Sequence, residues 1–252
     1  MALTVEAASR THQGLIRKRN EDSYSQGQWL YVVADGLGGH VAGDIASSTA
    51  IAAVQPYDRP VDPEDLADVL GRAVNEASEA LRRKVREDPK LAGMGTTFVA
   101  LLRSGSQAVV ANVGDSRAYL IRRHGSHDNP LLQISEDHTY DHLVAGARKV
   151  PNLPEKLTRF LDGRNDGRSA DLTPLRLHPG DRVLLCSDGL SSYVPHEQIR
   201  AALDSDGSSG DVADQLVASA IDQGGHDNVT VIVVDVTSAP GSIRHRFVES
   251  IH

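Results

Sequence analysis

Trp29-Leu30-Tyr31-Val32-Val33-Ala34-Asp35-Gly36 is the stretch from which this chain is best read. Six apolar residues, aromatic or β-branched at most positions, stop abruptly at an Asp-Gly turn signal. A short run with no polar alternation, bounded in this way, reads as a strand covered on both faces. The same form recurs at 97–102, 108–113, 118–121, 183–186 and 229–236. Between 97 and 121 the runs follow one another without an intervening helix, and a polar, charged loop at 122–129 reads as a hairpin connection. That order favours antiparallel sheets with helices outside them over a regular βαβ repeat, an α+β organisation.

Two helical patterns precede that block. Residues 41–54 are rich in alanine and other small residues. Asp62-Pro63 opens the second, as N-cap and first helical residue, and apolar positions recur at Leu66, Val69, Leu70, Val74, Ala77 and Leu81. A later helical pair, 196–203 and 211–221, is split by a polar loop at 204–210. Residues 1–237 read as one domain without internal repeats, and 238–252, with Pro240-Gly241, as an appended tail.

Composition narrows the function classes. The 252 residues carry 26 Lys and Arg against 34 Asp and Glu, a formal net charge of −8, which argues against a nucleic-acid backbone or an anionic membrane surface as partner. The lone cysteine, Cys186, excludes an internal disulfide framework and suits a reducing compartment. It lies in an apolar run and reads as a small buried hydrophobe. Residues 1–10 lack the basic-then-apolar pattern of a signal peptide, and no apolar run approaches the roughly 20 residues that span a bilayer. A cytoplasmic protein with no membrane span is expected.

The aspartates are placed unusually. Asp35, Asp115 and Asp188 each end an apolar run and are followed by Gly or Ser, while Asp227 begins the last run. If that run pairs antiparallel with the one ending at Asp188, the four carboxylates reach one edge of the core. Asp22, in Asn20-Glu21-Asp22, precedes the 29–34 run in a loop. Any single Asp-Gly is more often a plain turn residue, but turns need not fall at the ends of otherwise apolar strands. Gathered carboxylates repel unless something positive neutralises them, and without CxxC or HExxH they suit hard divalent cations, Mg²⁺ or Mn²⁺. Two such ions about 4 Å apart can activate a shared water and screen a phosphoryl group. Arg17, five residues before Asp22, offers the planar fork that phosphate oxygens prefer, though with Lys18 and Arg19 beside it a solvated basic loop is the equal alternative.

Six motifs then occur in order: Gly14-x-x-Arg17-x-x-Asn20-Glu21-Asp22, Val33-Ala34-Asp35-Gly36-Leu37-Gly38-Gly39-His40, Gly93-Met94-Gly95-Thr96-Thr97, Asn112-Val113-Gly114-Asp115-Ser116-Arg117-Ala118-Tyr119, Leu185-Cys186-Ser187-Asp188-Gly189-Leu190 and Gly225-His226-Asp227-Asn228-Val229-Thr230. From about Ser9 to Val236 the chain resembles the protein phosphatase 2C family of metal-dependent serine/threonine phosphatases, in its compact bacterial form. The resemblance implies a four-layer α-β-β-α sandwich with two central antiparallel sheets. It implies that Asp35 bridges two metals, that the Gly36 carbonyl is a further ligand, and that Asp188 and Asp227 bind the second metal. Asp22 would bind directly or through water, and Asp115 with Asp188 would form a third, weaker site. Arg17 matches the phosphate-binding arginine. The implied reaction is in-line attack of a metal-bridging hydroxide on phosphoserine or phosphothreonine, without a phosphoenzyme. Phosphorylated substrates of serine/threonine kinases are the implied partners, met by a monomer.

His40 stands where bacterial members carry a histidine; it could protonate the leaving oxygen or hold Asp35 or a water by a hydrogen bond. His138 and His142, in Asp137-His138-Thr139-Tyr140-Asp141-His142, read as structural. One departure from the family pattern is the interval 143–156 before Leu157-Thr158-Arg159, several residues short of the usual mobile flap, followed by a Gly/Asp-rich loop at 161–168. The alternatives to an active phosphatase are an inactive phosphoprotein-binding relative, which retention of Arg17, Asp35, Asp188 and Asp227 disfavours, and a phosphatase narrowed to one regulatory partner.

Overall fold

The computed structural model describes residues 3–37, 42–123, 129–140, 156–164 and 170–239. Two sheets lie face to face. The first has the order β1-β11-β10-β7-β8, with β1 Leu3–His12, β7 Arg117–Arg122, β8 Leu131–Gln133, β10 Asp181–Cys186 and β11 Val229–Ser238. The second runs β2-β3-β5-β6-β9, with β2 Asp22–Gln26, β3 Leu30–Leu37, β5 Phe98–Ser104, β6 Gln107–Val113 and β9 Asp171–Arg176; the short β4, Gly95–Thr96, pairs with the end of β3. Every pairing between these strands is antiparallel.

The continuous apolar runs are strands buried on both faces, and their two-residue period divides them between three cores. Along β11, Val229, Val231 and Val233 face a helical layer, while Ile232, Val234 and Val236 meet the opposing sheet. Along β3, Val32 and Ala34 face helices while Tyr31 and Val33 point between the sheets. Helices α1 Gly43–Val54 and α2 Leu66–Glu87 cover the second sheet. Helix α2 buries Leu66, Val69, Leu70, Ala73, Val74, Ala77, Ala80 and Leu81, an apolar stripe at three- and four-residue spacing. The first sheet is covered by a short turn of helix α3 Asp188–Ser191, by α4 His196–Asp204 and by α5 Ser209–Asp222, which Ser208 and Asp211 start with a reciprocal capping box. The result is the expected four-layer α-β-β-α sandwich.

Three local expectations are corrected. Asp62 forms no side-chain cap, because residues Pro63–Asp65 make a 3₁₀ turn and α2 begins only at Leu66. Asp22 does not lie in a loop but opens β2, and β1 precedes it as the first strand. The strands with no apolar run in the sequence, β1, β2, β8 and β9, are the four sheet edges, where one backbone side faces away from the sheet and side chains need not be apolar. The loop at 122–129 does join two paired strands, β7 and β8, although 124–128 lie outside the described residues. His40, His142, most of the 143–156 interval, residues 165–169 and most of the 238–252 tail also lie outside them.

One charged pair is buried in the helical side of the first sheet. Arg182 on β10 is 1 % exposed and sits in register with Asp235 on β11. Its Nε and Nη2 donate to the Asp235 carboxylate at 2.6 and 3.0 Å, and its remaining donors reach the carbonyls of Leu203, Ser205 and Gly207 at 2.9, 3.1 and 2.7 Å. The guanidinium thereby ties the α4–α5 loop to the sheet. Asp235 also meets Arg123 Nη2 at 3.4 Å, but Arg182 has Asp235 as its carboxylate partner, so Asp235→Ala would leave the buried guanidinium without one and is expected to cost about 3–5 kcal/mol in chemical denaturation. An Arg182→Met/Asp235→Leu double variant should recover much of that loss. A single variant as stable as the parent would contradict this account.

Candidate metal centre

The antiparallel pairing of β10 with β11 brings the residues after Cys186 and before Val229 to the same end of the sheet, so Asp188 and Asp227 become neighbours. The β2–β3 register sets Asp22 opposite Asp35 on the facing sheet. Asp115 lies in the tight connection between β6 and β7. Five segments thus meet at one end of the sandwich: the four aspartates at the ends of apolar runs, and Asp22, which joins them through the β2–β3 register.

The backbone around these residues is pinned by polar side chains. The Asp35 N–H donates to Thr97 Oγ1 at 3.0 Å, and its carbonyl accepts from Thr97 N and Thr96 Oγ1, both at 2.8 Å. Thr97 Oγ1 in turn meets Ser116 Oγ at 2.7 Å, beside Asp115. The Ser187 hydroxyl donates to Asp22 Oδ2 at 2.8 Å and accepts from Thr230 N at 2.9 Å, joining the two sheets. Gly36 is packed so closely that a Cβ there would fall 2.1 Å from the Gly43 carbonyl oxygen, a position only glycine can occupy. Its N–H donates to the Glu21 carbonyl at 3.2 Å.

Arg17 reaches this end from a loop. Its Nη2 donates to Asp227 Oδ2 at 2.6 Å, and its side chain remains 52 % exposed, so one face of the guanidinium is open to solvent. Asp188 and Asp35 also lie within its field.

Burial is the main influence on the carboxyls. It raises Asp35 well above the usual carboxylate range, with Asp22, Asp188 and Asp115 adding repulsion. Burial likewise lifts Asp22 to about 7 and Asp115 to about 7, each with help from Asp188, and raises Asp188, where Asp227 contributes. Asp35 and Asp188 are near enough to share a proton. The oxygens Asp22 Oδ1 and Asp188 Oδ1 are buried with no hydrogen-bond partner among the described residues. Buried carboxylate oxygens without donors, in a cluster that cannot ionise freely, fit a hard divalent cation. Among the described residues no three His, Cys, Asp or Glu side chains are drawn into a preassembled ligand shell. Each of Asp22, Asp35, Asp115 and Asp188 nonetheless lies within the field of at least one other aspartate of the group.

Asn228 is a site residue the sequence reading passed over. Its Oδ1 accepts from Glu21 N at 2.8 Å, and its Nδ2 donates to the carbonyls of Gln13 and Arg19, each at 2.8 Å. It therefore clamps both sides of the Arg17 loop and the entry to β2. Ser187, Thr97 and Ser116 were missed in the same way. All four stand beside a motif aspartate or within a quoted motif, and only their adjacency could have signalled them. His138 has the structural role expected of it: Nδ1 accepts from Gly114 N at 3.0 Å, and Nε2 lies 2.9 Å from Asp171 Oδ2, which Arg159 also binds at 2.8 and 3.1 Å. Burial lowers its pKa, which keeps the acceptor nitrogen free. Arg117 grips Asp137 through Nε and Nη2, at 2.9 and 2.6 Å, fixing the segment beside Asp115. Cys186 is fully buried among the helix-facing residues, its thiol pushed up to about 12, and is inert.

These shifts set a pH dependence for the metal-free protein. Asp22 and Asp115 titrate near 7 when folded and near 3.8 when unfolded, so between those values the folded state holds more protons. The free energy of unfolding then falls as pH rises, the contribution of these two groups being fully present below about 4 and lost through about 7. With chelator present, the thermal midpoint is expected to drop by several degrees from pH 5 to pH 8, and Asp22→Asn to flatten that slope. A midpoint that climbs with pH over this range would refute the assignment of these shifts.

The chain matches the profile described as Protein phosphatase 2C over residues 9–211. It is 39 % identical over 243 residues to the serine/threonine protein phosphatase PstP of Mycobacterium tuberculosis, a match covering 94 % of this chain and 46 % of that protein. It therefore spans about half the length of that relative. It is 34 % identical over 247 residues to the serine/threonine phosphatase stp of Listeria monocytogenes, covering 92 % of this chain and 96 % of that one. The crystal structure of the catalytic domain of PstP in complex with two manganese ions superposes with a TM-score of 0.84 at 38 % identity, covering 94 % of this chain and all of the other (100 %). With its sandwich, its converging aspartates and these likenesses, the chain belongs to the protein phosphatase 2C family.

Proposed function

We propose that this chain is a metal-dependent protein serine/threonine phosphatase that hydrolyses phosphoserine and phosphothreonine, with residues 1–237 as its catalytic domain and 238–252 as an appended tail. The observation that carries the reading is the meeting of Asp22, Asp35, Asp115, Asp188 and Asp227 at one end of the sandwich, with Arg17 beside them. Metal dependence is the family's property, and the manganese complex of PstP favours Mn²⁺. Mg²⁺ as an alternative and a third ion near Asp115 and Asp188 are part of the proposal. When bound, such cations would lower the pKa of a water and neutralise phosphoryl oxygens.

The chain's own residues have separate tasks in this scheme. Asp35, Asp188 and Asp227, with the Gly36 carbonyl, are the proposed ligands of the two central metals, and Asp22 contributes directly or through water. Hydrogen bonds anchor the strand ends that carry Asp35 and Asp22, which would limit the reorganisation needed when a cation binds. Arg17 binds and orients the phosphoryl group, exchanging its contact with Asp227 for phosphate oxygens of higher charge. His40 is proposed to hold the proton delivered to the departing seryl or threonyl oxygen. The products are the free hydroxyl side chain and inorganic phosphate. All five aspartates and Arg17 are present, so nothing favours an inactive phosphoprotein-binding relative.

Partners and setting follow from chemistry. Phosphoproteins made by serine/threonine kinases are the proposed substrates, met by a monomer in the cytoplasm. The net charge of −8 disfavours nucleic acid. Among the described residues no helix is long and apolar enough to cross a membrane.

Metal-stripped protein is expected to hydrolyse p-nitrophenyl phosphate and a phosphothreonine peptide only after Mn²⁺ or Mg²⁺ is restored; silence with every divalent cation would sink the phosphatase reading. Variants separate the roles. Asp35→Ala or Asp188→Ala should lower kcat by about 100-fold or more, whereas Arg17→Ala should chiefly raise KM, by about tenfold. Asp115→Ala should raise the metal concentration needed for half-maximal rate. Wild-type turnover by Asp188→Ala would show the ligand assignment to be wrong.

A further inference from the structure

Leu15 and Ile16 directly precede Arg17, and at 65 % and 62 % they are the most exposed large hydrophobic side chains among the described residues. They are not on a loose loop. Gly14, at φ +81°, lets the chain lie so close to the next segment that a Cβ there would be 2.3 Å from the Asp227 carbonyl oxygen. Leu15 N donates to the Gly225 carbonyl at 2.7 Å, Gln13 Nε2 donates to the Arg17 carbonyl at 2.7 Å, and Asn228 holds the carbonyls of Gln13 and Arg19. Next to Gly225, the exposed ring of His226 stacks on Tyr193, with centroids 5.1 Å apart, and Tyr193 is itself 38 % exposed. Leu15 thus lies against the segment that carries His226 and its stacking partner Tyr193, and Ile16 joins it directly to Arg17. These four side chains form an apolar and aromatic rim beside the Arg17–Asp227 pair, with the exposed Lys18 and Arg19 following the arginine in sequence.

We infer that this rim is a docking surface for the phosphoprotein segment flanking the phosphoresidue, selecting a large apolar side chain close to it in sequence. The inference rests on the phosphatase reading and adds a residue preference to it. Three features carry it. The rim is continuous with the phosphate-binding arginine, so a chain whose phosphoryl group meets Arg17 must pass beside it. Exposed apolar side chains grouped in one place mark interaction surfaces, whereas isolated ones need no explanation. The loop is immobilised by hydrogen bonds, so little ordering entropy is lost when a ligand covers it. An aryl phosphate has no flanking chain and cannot use the rim.

That difference supplies the experiment. Hydrolysis is measured in Mn²⁺ for p-nitrophenyl phosphate and for two phosphothreonine peptides, one with leucine or phenylalanine within two residues of the phosphothreonine and one with serine there. The wild-type protein should prefer the apolar peptide. Leu15→Ser/Ile16→Ser should lower its kcat/KM for that peptide by about tenfold, mainly through KM, with less than a twofold change on the serine peptide or on p-nitrophenyl phosphate. Leu15→Met/Ile16→Val should restore the preference. Equal losses on all three substrates, or no loss on the apolar peptide, would overturn the inference while leaving the phosphatase reading intact. Failure of the wild-type protein to hydrolyse any of them would overturn both.

Discussion

Carboxyls drawn away from bulk water and toward one another resist ionisation, and the architecture of this protein is organised around keeping four of them, Asp22, Asp35, Asp115 and Asp188, in such a place, with Asp227 and its partner Arg17 beside them. Asp35 feels three other aspartates as well as its own burial, and Asp188 sits near enough to share its proton. Left to themselves these side chains would move apart or stay protonated. What keeps them together is backbone: the strand ends that carry them are locked in place by two helix–sheet cores and by the sheet–sheet core between them. The free energy that hydrophobic burial contributes to folding offsets the cost of assembling a site that is unfavourable until cations arrive.

Polar side chains complete what packing begins. Asn228, Ser187, Thr97 and Ser116 connect the aspartate-bearing segments to one another. Arg117–Asp137 and the His138–Asp171–Arg159 group support the β6–β7 corner from behind. At the far end of the helix-facing core, Arg182–Asp235 performs a purely structural task with the same residue types. The contrast is instructive. The Arg182 donors are consumed by protein acceptors, whereas among the described residues Arg17 makes a single ion pair, with Asp227, and its side chain stays half exposed. An arginine with uncommitted donors beside clustered acids is equipped to bind an anion once those acids are neutralised.

The net charge of −8 describes the whole surface correctly enough to disfavour nucleic acid, yet it misdescribes the site. Cations bound among the five carboxylates would reverse the local sign, turning an end of the molecule hostile to phosphate into one that attracts it. Much of the fold was legible beforehand for a specific reason. The interior strands β3, β5, β6, β7, β10 and β11 must be apolar on both faces, and they stand out as uninterrupted runs. The edges β1, β2, β8 and β9 obey no such demand, so their sequences look like loops, and Asp22 was misplaced with them. The helix start at Asp62-Pro63 was right in kind and wrong in detail, since a 3₁₀ turn satisfies the same local signals.

The sequence by itself determined which residue types end the buried strands, and therefore that carboxylates would crowd one end of an antiparallel core. It also carried, in the order of six motifs, the resemblance to a metal-dependent phosphatase family. Only the tertiary structure decided which groups meet. Arg17 pairs with Asp227 across 210 positions, Ser187 reaches Asp22 across 165, and Asn228 closes the Arg17 loop from the opposite end of the chain. It likewise decided that Leu15 and Ile16 stand rigid and exposed beside that arginine instead of turning inward. The physical reason is that periodicity and turn chemistry act over a few residues, whereas a hydrogen bond between distant segments exists only after the sheets that carry them have packed.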